Sequence, residues 1–245
     1  MRSFLCAFVG TLLVAAPAAA QSDKPQPSAF VNFGFQPRSQ DLTQGVEFPL
    51  YEETGTGEAR HSLEGAAFFE VGGSIGIRRN LSVGGSFARR STKSRDVLVT
   101  AAVPSPIITD AFRSASSTLS GIEHQESAFH LNAIWHIPVT VEFDVAVFAG
   151  PSFFVARHDL VGSMAPVEVS ADFSQVGLDV TRANDSEAGV GLNLGIDGRY
   201  MVTDLIGAGL MIRFTRGSVD FTPPAGNVNL DTGGLEIAGG LRFRF

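Results

Sequence analysis

Along the last eleven residues every second position is apolar or glycine. Leu235, Ile237, Gly239, Leu241, Phe243 and Phe245 alternate with Glu236, Ala238, Gly240, Arg242 and Arg244. A period of two marks a strand with one apolar and one polar face. The same rhythm recurs upstream. Residues 29–36 set Val31, Phe33 and Phe35 against Phe30, Asn32, Gly34 and Gln36. Residues 64–78 set Phe69, Val71, Gly73, Ile75 and Ile77 against Phe68, Glu70, Gly72, Ser74 and Gly76. Residues 81–90 carry Leu81, Val83, Gly85 and Phe87 on one face, and residues 119–135 carry Phe129, Leu131, Ala133 and Trp135. Residues 139–149, 187–201 and 205–216 complete the series, led by Val139, Val141, Phe143, Val145 and Val147, then Leu192, Leu194 and Ile196, then Leu210, Ile212 and Phe214.

The connections alternate in length. Arg79-Asn80, His136-Ile137-Pro138 and Val202-Thr203-Asp204 are short turns, whereas residues 37–62, 91–118, 157–185 and 217–231 are polar and turn-rich. Pro151 is expected at the rim, because proline cannot donate to a ladder. Within 157–185 the alternation of Val167, Val169, Ala171 and Phe173 suggests a hairpin extending past the membrane, and Val97 to Val103 is an apolar patch inside 91–118. The pattern therefore predicts an all-β fold, an antiparallel up-and-down transmembrane barrel with short turns at one end and long loops at the other. About eight strands are expected, or ten if residues 44–60 supply two. The polar faces collect Glu70, Arg78, Arg90, His130, Glu142, Asp144, Asp197, Arg199, Arg213, Glu236, Arg242 and Arg244. An arginine moved to the lipid face costs roughly 2–4 kcal/mol at mid-membrane, so these residues set which face points inward.

Composition changes the picture at the N-terminus. Arg2, the apolar run 4–16 and Ala18-Ala19-Ala20 read as a secretory signal over residues 1–20, followed by a short leader at 21–28 and a barrel domain at 29–245. Cys6, the single cysteine, falls within the signal, so the exported chain would use no disulfides. Without Arg2 the balance is 17 basic against 25 acidic residues, or −8. An acidic chain with no Lys/Arg cluster argues against nucleic acid as a partner.

With a signal, a run of alternating segments and an aromatic last residue, the chain resembles small bacterial outer-membrane β-barrel proteins of the OmpA-like or OmpX-like kind. The resemblance implies an outer-membrane location, lipid as surroundings and a monomeric state. It also implies that Leu241, Phe243 and Phe245 form the signal read by the barrel-assembly machinery. It implies no activity.

Three chemistries follow from the inward residues. Nearly balanced acids and bases in a narrow barrel predict a structural plug of ion pairs. A polar lumen could instead serve a small-solute channel. A lipid-modifying enzyme would need a nucleophile, a base and an acid together. His124 and Glu126 share a face but Ser127 lies on the other, which argues against that option. The same two residues lack a third ligand for a metal, and His158-Asp159 reads as a solvated loop pair. The expectation is a non-enzymatic barrel without cofactor or metal, whose loops carry surface interaction, with an extracellular partner as the form that role would take.

Overall fold

The computed structural model describes residues 26–37, 40–63, 65–93, 96–221 and 228–245. The expected signal, residues 21–25 of the leader and the Pro223-Pro224 segment lie outside the described residues.

Among the described residues there are twelve strands and no helix, and eight strands close into a barrel. Its members are β1 (Ser28–Gln36), β4 (Ala66–Arg78), β5 (Leu81–Lys93), β8 (Glu123–Pro138), β9 (Phe143–Glu168), β10 (Val176–Met201), β11 (Ile206–Phe221) and β12 (Val228–Arg244). All pairings are antiparallel, and β1 closes the ring by pairing with both β12 and β4. Val31 stands opposite Leu241 on one side and Val71 on the other. At the short-turn end, Phe245 N–H donates to Pro27 C=O at 2.9 Å.

The faces are sorted as the alternation requires. Leu192 and Phe33 are 69% and 67% exposed, while Arg213 and Glu70 are 1% and 0% exposed. In water such an arrangement would be inverted, so the exterior is the face that meets lipid. On β11 the outward apolar run Ile206, Ala208, Leu210, Ile212, Phe214 spans nine residues, the length of one tilted crossing. Beyond it the outward position is Arg216, matched by Arg89 after Phe87 on β5 and Arg157 after Val155 on β9. These exposed arginines mark the upper edge of the apolar belt. Trp135 lies at the opposite edge, half-exposed, where an interfacial aromatic belongs.

Several expected loops are strands. Residues 37–62 hold β2 (Gln40–Leu50) and most of β3 (Glu53–Leu63), and residues 91–118 hold β6 (Val97–Pro104) and most of β7 (Phe112–Leu119). The four form a separate sheet ordered β2-β3-β6-β7, so residues 44–60 add two strands to a head rather than to the barrel. Residues 157–185 continue β9 and β10 far past the belt. Each of these strands has 26 residues, about 86 Å at the usual rise, of which a crossing uses only about ten.

The head has its own core. Val46, Ala59, Val97, Val99, Leu119 and Ile122 pack on Val161 and Met164 of the β9 extension. Phe48, Ala101, Val103 and Ala115 form a second cluster nearer the tip. Gln44 joins sheet to extension by imitating a strand partner. Its Nε2 donates to Val161 C=O at 2.9 Å and its Oε1 accepts from Val161 N–H at 3.0 Å. Gly57 lies so close to Met164 that a Cβ there would collide with the thioether sulfur.

Three smaller expectations are corrected. The turn between β8 and β9 is residues 139–142 rather than 136–138, so Val139 and Val141 precede the strand and Glu142 sits exposed in the turn. Arg78 is exposed at a register shift beside the Arg79-Asn80 turn, because the bulge takes it off the inward face. Pro151 lies inside β9, not at the rim. The β8–β9 ladder skips from His130–Ser152 to Ala133–Ala149, so the missing donor falls in a gap. Asn193 Nδ2 fills that gap by donating to Gly150 C=O at 3.0 Å.

Candidate functional site: a plugged lumen beneath a tied head

Inside the barrel the ionic residues form a chain of contacts running down the axis. Glu126 pairs with Arg90, which reaches Glu236 at 3.4 Å. Glu236 accepts from Arg213 Nε at 2.7 Å, and Arg213 also donates to Glu70 at 2.6 Å. Glu70 accepts from Ser86 at 2.7 Å and from Asn32 at 3.1 Å. Asn32 Oδ1 in turn accepts from Arg242 at 2.7 Å, and Arg242 forks onto Asp197 at 2.6 and 2.9 Å. At the short-turn end Arg199 forks onto Asp144 at 2.6 and 2.7 Å, with Arg244 at 3.6 Å from the same carboxylate and His136 against the Arg199 guanidinium.

Every arginine in this chain faces a carboxylate, as charges held away from water require. Phe68, Phe148, Met211 and Ala238 add an apolar layer across the lumen. A cavity within the barrel, lined among others by Phe30, Asn32, Arg213 and Arg242, has about 60 Å³, room for a few waters. Of the twelve inward candidates, ten line the lumen or its mouth, and Arg78 and Glu142 are at turns. His130 is not ion-paired. Its Nδ1 lies 2.8 Å from Ser152 Oγ.

Above the belt a second cluster assembles. His124 Nε2 is 3.8 Å from Glu126 Oε2, while Ser127 faces outward. The enzyme arrangement is thus not formed by these three. Instead His124 meets His158 of β9 and, beyond it, His61 of β3. The His124 and His158 ring centres are 5.2 Å apart, and so are those of His61 and His158. His61 Nδ1 lies 3.3 Å from His158 Nε2. All three are buried. Desolvation by burial pushes His61 down to about 4, and His158 to about 2 with its two neighbours contributing. Sequence reading missed this trio because 34 residues separate His124 from His158 and His61 sits in a segment read as loop. Among the described residues no group of three His, Cys, Asp or Glu side chains is placed to hold a metal ion.

At the far tip the three hairpin turns are tied together. Arg113 forks onto Glu168 at 2.7 Å twice and donates to Phe173 C=O at 2.9 Å. Tyr51 Oη donates to Glu168 at 3.1 Å, and Glu53 accepts from Asp110 N–H at 3.1 Å. Each turn holds non-glycine residues in the left-handed region: Tyr51 and Glu52, Asp110, and Phe173. Around these ties Tyr51, Ile107, Ile108, Phe112, Val169 and Phe173 are exposed.

No protein-family model matches the chain, and no curated protein matches it. Solved structures of bacterial outer-membrane β-barrels are similar to it in fold. One is Ail, the attachment invasion locus protein of Yersinia pestis, solved with the heparin analogue sucrose octasulfate, at 11% identity over 89% of this chain and 99% of that one, with a TM-score of 0.38. Another is OprG from Pseudomonas aeruginosa, at 10% identity over 91% and 97%, TM-score 0.42. A third is the outer membrane protease OmpT from Escherichia coli, at 9% identity over 90% and 97%, TM-score 0.48. The chain is a membrane-spanning β-barrel of the outer-membrane type. Its closed strand pairing and apolar belt carry that statement, and lipid is its surroundings.

Proposed function

We propose that this protein is an exported, monomeric, non-enzymatic barrel whose membrane part anchors a β-structured head for contact at the cell surface. Residues 1–20 are removed as the signal, and the domain beginning at 29 inserts with its short turns in the periplasm. Leu241, Phe243 and Phe245 present the closing strand to the assembly machinery. The observation that carries the reading is the tied tip. Backbone strain at three turns, held by Arg113 and Glu168 under a rim of exposed aromatic and aliphatic side chains, is what an interaction surface shows and a bare loop does not. The run of ion pairs and hydrogen bonds from Glu126 to Asp197 supports an anchor over a channel, because solute passage would require several buried pairs to separate together.

Two measurements on one preparation test this. Refolded protein in planar bilayers should show no discrete conductance steps at neutral pH. Cells bearing the protein should adhere to one another or to apolar surfaces more than cells bearing an Ile107→Ser, Ile108→Ser, Phe112→Ser variant with the same heat-modifiable gel migration. Discrete openings would favour the channel, and equal adherence of the two strains would remove the surface role.

A further inference from the structure

On the lipid-facing wall, above the end of β1, we infer a headgroup site for a zwitterionic glycerophospholipid with a primary ammonium, in which Arg216 takes the phosphate and Asp231 the ammonium. The site exists because one strand stops short. The β1–β12 register ends at Phe35–Ile237, whereas β12 stays paired with β11 as far as Val228–Phe221. At the corner left open is a recess of about 460 Å³, lined by Pro37, Phe214, Arg216, Asp231, Gly234 and Leu235. Gly233 stands opposite Arg216, so no side chain across the ladder fills the space beside the guanidinium.

The lining is graded in the order of such a lipid. Phe214 and Leu235 face each other across the β11–β12 ladder as an outward apolar pair, both half-exposed, and offer a wall to an acyl chain. Arg216 is the next outward residue of β11, just above that pair. Asp231 lies two residues beyond Gly233 on β12, about 7 Å along the strand, so its carboxylate is rooted farther from the belt than the guanidinium. In a glycerophospholipid the phosphate likewise sits next to the acyl level and the amine outside it. Although both charges line one recess, among the described residues neither takes an ion-pair partner. A lone solvated arginine at the belt edge is the competing account, but it leaves unexplained an opposite charge that shares the recess without pairing. A guanidinium forks onto phosphate oxygens, and a carboxylate accepts charge-assisted hydrogen bonds from a primary ammonium. A quaternary ammonium has no N–H to donate and is held by a cage of aromatic rings, of which this recess has only Phe214. A purely anionic headgroup would set Asp231 against a second negative charge. The inference rests on the membrane-spanning barrel and is independent of what the tip contacts.

The test offers phosphatidylethanolamine, phosphatidylcholine and phosphatidylglycerol with the same acyl chains to the full chain refolded in detergent, and counts retained lipid by native mass spectrometry. One phosphatidylethanolamine per chain should be retained at least about tenfold more tightly than either rival, the effect of one charge-assisted hydrogen bond. Arg216→Gln should lower retention of all three lipids, and Asp231→Asn should remove the preference among them. Arg216→Asp combined with Asp231→Arg keeps the net charge but reverses the order of the two groups, so it should also remove the preference. Arg157→Gln, at an exposed arginine outside the recess, should change nothing. Heat-modifiable migration identifies variants whose barrel is folded, which separates loss of the site from loss of the barrel. The inference is overturned if phosphatidylethanolamine binds no better than its rivals, if the charge-exchanged protein keeps the preference, or if Arg157→Gln weakens retention as much as Arg216→Gln.

Discussion

Removing Arg213 would leave buried Glu70 without its cation and Glu236 with only Arg90, 3.4 Å away. Breaking a buried pair in this way costs about 3–5 kcal/mol, whereas replacing the whole set by apolar groups of similar volume is often neutral. Arg213→Ala is therefore expected to lower the denaturant midpoint of the refolded barrel sharply, and Arg213→Met with Glu70→Gln and Glu236→Gln to recover most of it. Equal stabilities for the single and triple variants would show that the charges are not coupled. At the tip the relevant residue is Glu168. Hydrogen bonding from Arg113 holds its carboxyl below the ordinary value of 4.5, with Tyr51 adding a smaller effect in the same direction. A depressed folded pKa stabilises above the ordinary value and is lost as pH falls through the folded one. Amide protection in residues 169–175, corrected for the intrinsic exchange rate at each pH, should fall on acidification below about pH 4.5 in the parent, and should already be low at neutral pH in Arg113→Ala. Glu52, exposed with φ of 64°, should accept glycine with a gain of about 1 kcal/mol in head stability, read from protease resistance.

Among the elements, the barrel strands were legible because each meets lipid on one face and ions on the other, which makes the alternation strict. The head strands were harder to read for a physical reason. Over residues 53–61 β3 carries Ala59 and His61 inward and otherwise Thr, Gly, Glu and Arg, so its buried face there is small and polar rather than greasy. β6 does alternate, with Val97, Val99, Ala101 and Val103 buried and Leu98 half-exposed, yet a patch of apolar residues in a polar stretch does not reveal its partner. What places β3 is closeness to β9 at Gly57, beside the tie from Gln44 of β2 to Val161, a long-range fact absent from local periodicity. Gly57→Val should therefore loosen the head alone. Proteases should cut within residues 40–63 faster, heat-modifiable migration should persist, and Met164→Ala should restore resistance by making room. A variant that lost barrel migration as well would show that head and barrel do not fold separately. The lumen list was readable to the extent that register holds, and it failed at Arg78 and Glu142 where a bulge and a longer turn break the count.

For the whole molecule, topology separates what spans the membrane from what stands above it. None of β2, β3, β6 and β7 pairs with a barrel strand in the ladder, so the ring closes without them. The ion-pair chain is likewise complete below His124. Replacing residues 38–64 and 94–120 by short turns is thus expected to leave a heat-modifiable barrel that still does not conduct. The excision has a second consequence at the extended β9–β10 hairpin. It uncovers Val161 and Met164, and with them Leu178 and Val180, which now pack against the head core. An exposed apolar strand face promotes association, so the headless chain should form higher oligomers in detergent. Trimming residues 158–184 to a short turn as well should return it to a monomer, and size-exclusion chromatography would distinguish the two. Should the first deletion remain monomeric, the head core would not be covering that hairpin, and the anchoring role given to β9 and β10 would fail with it.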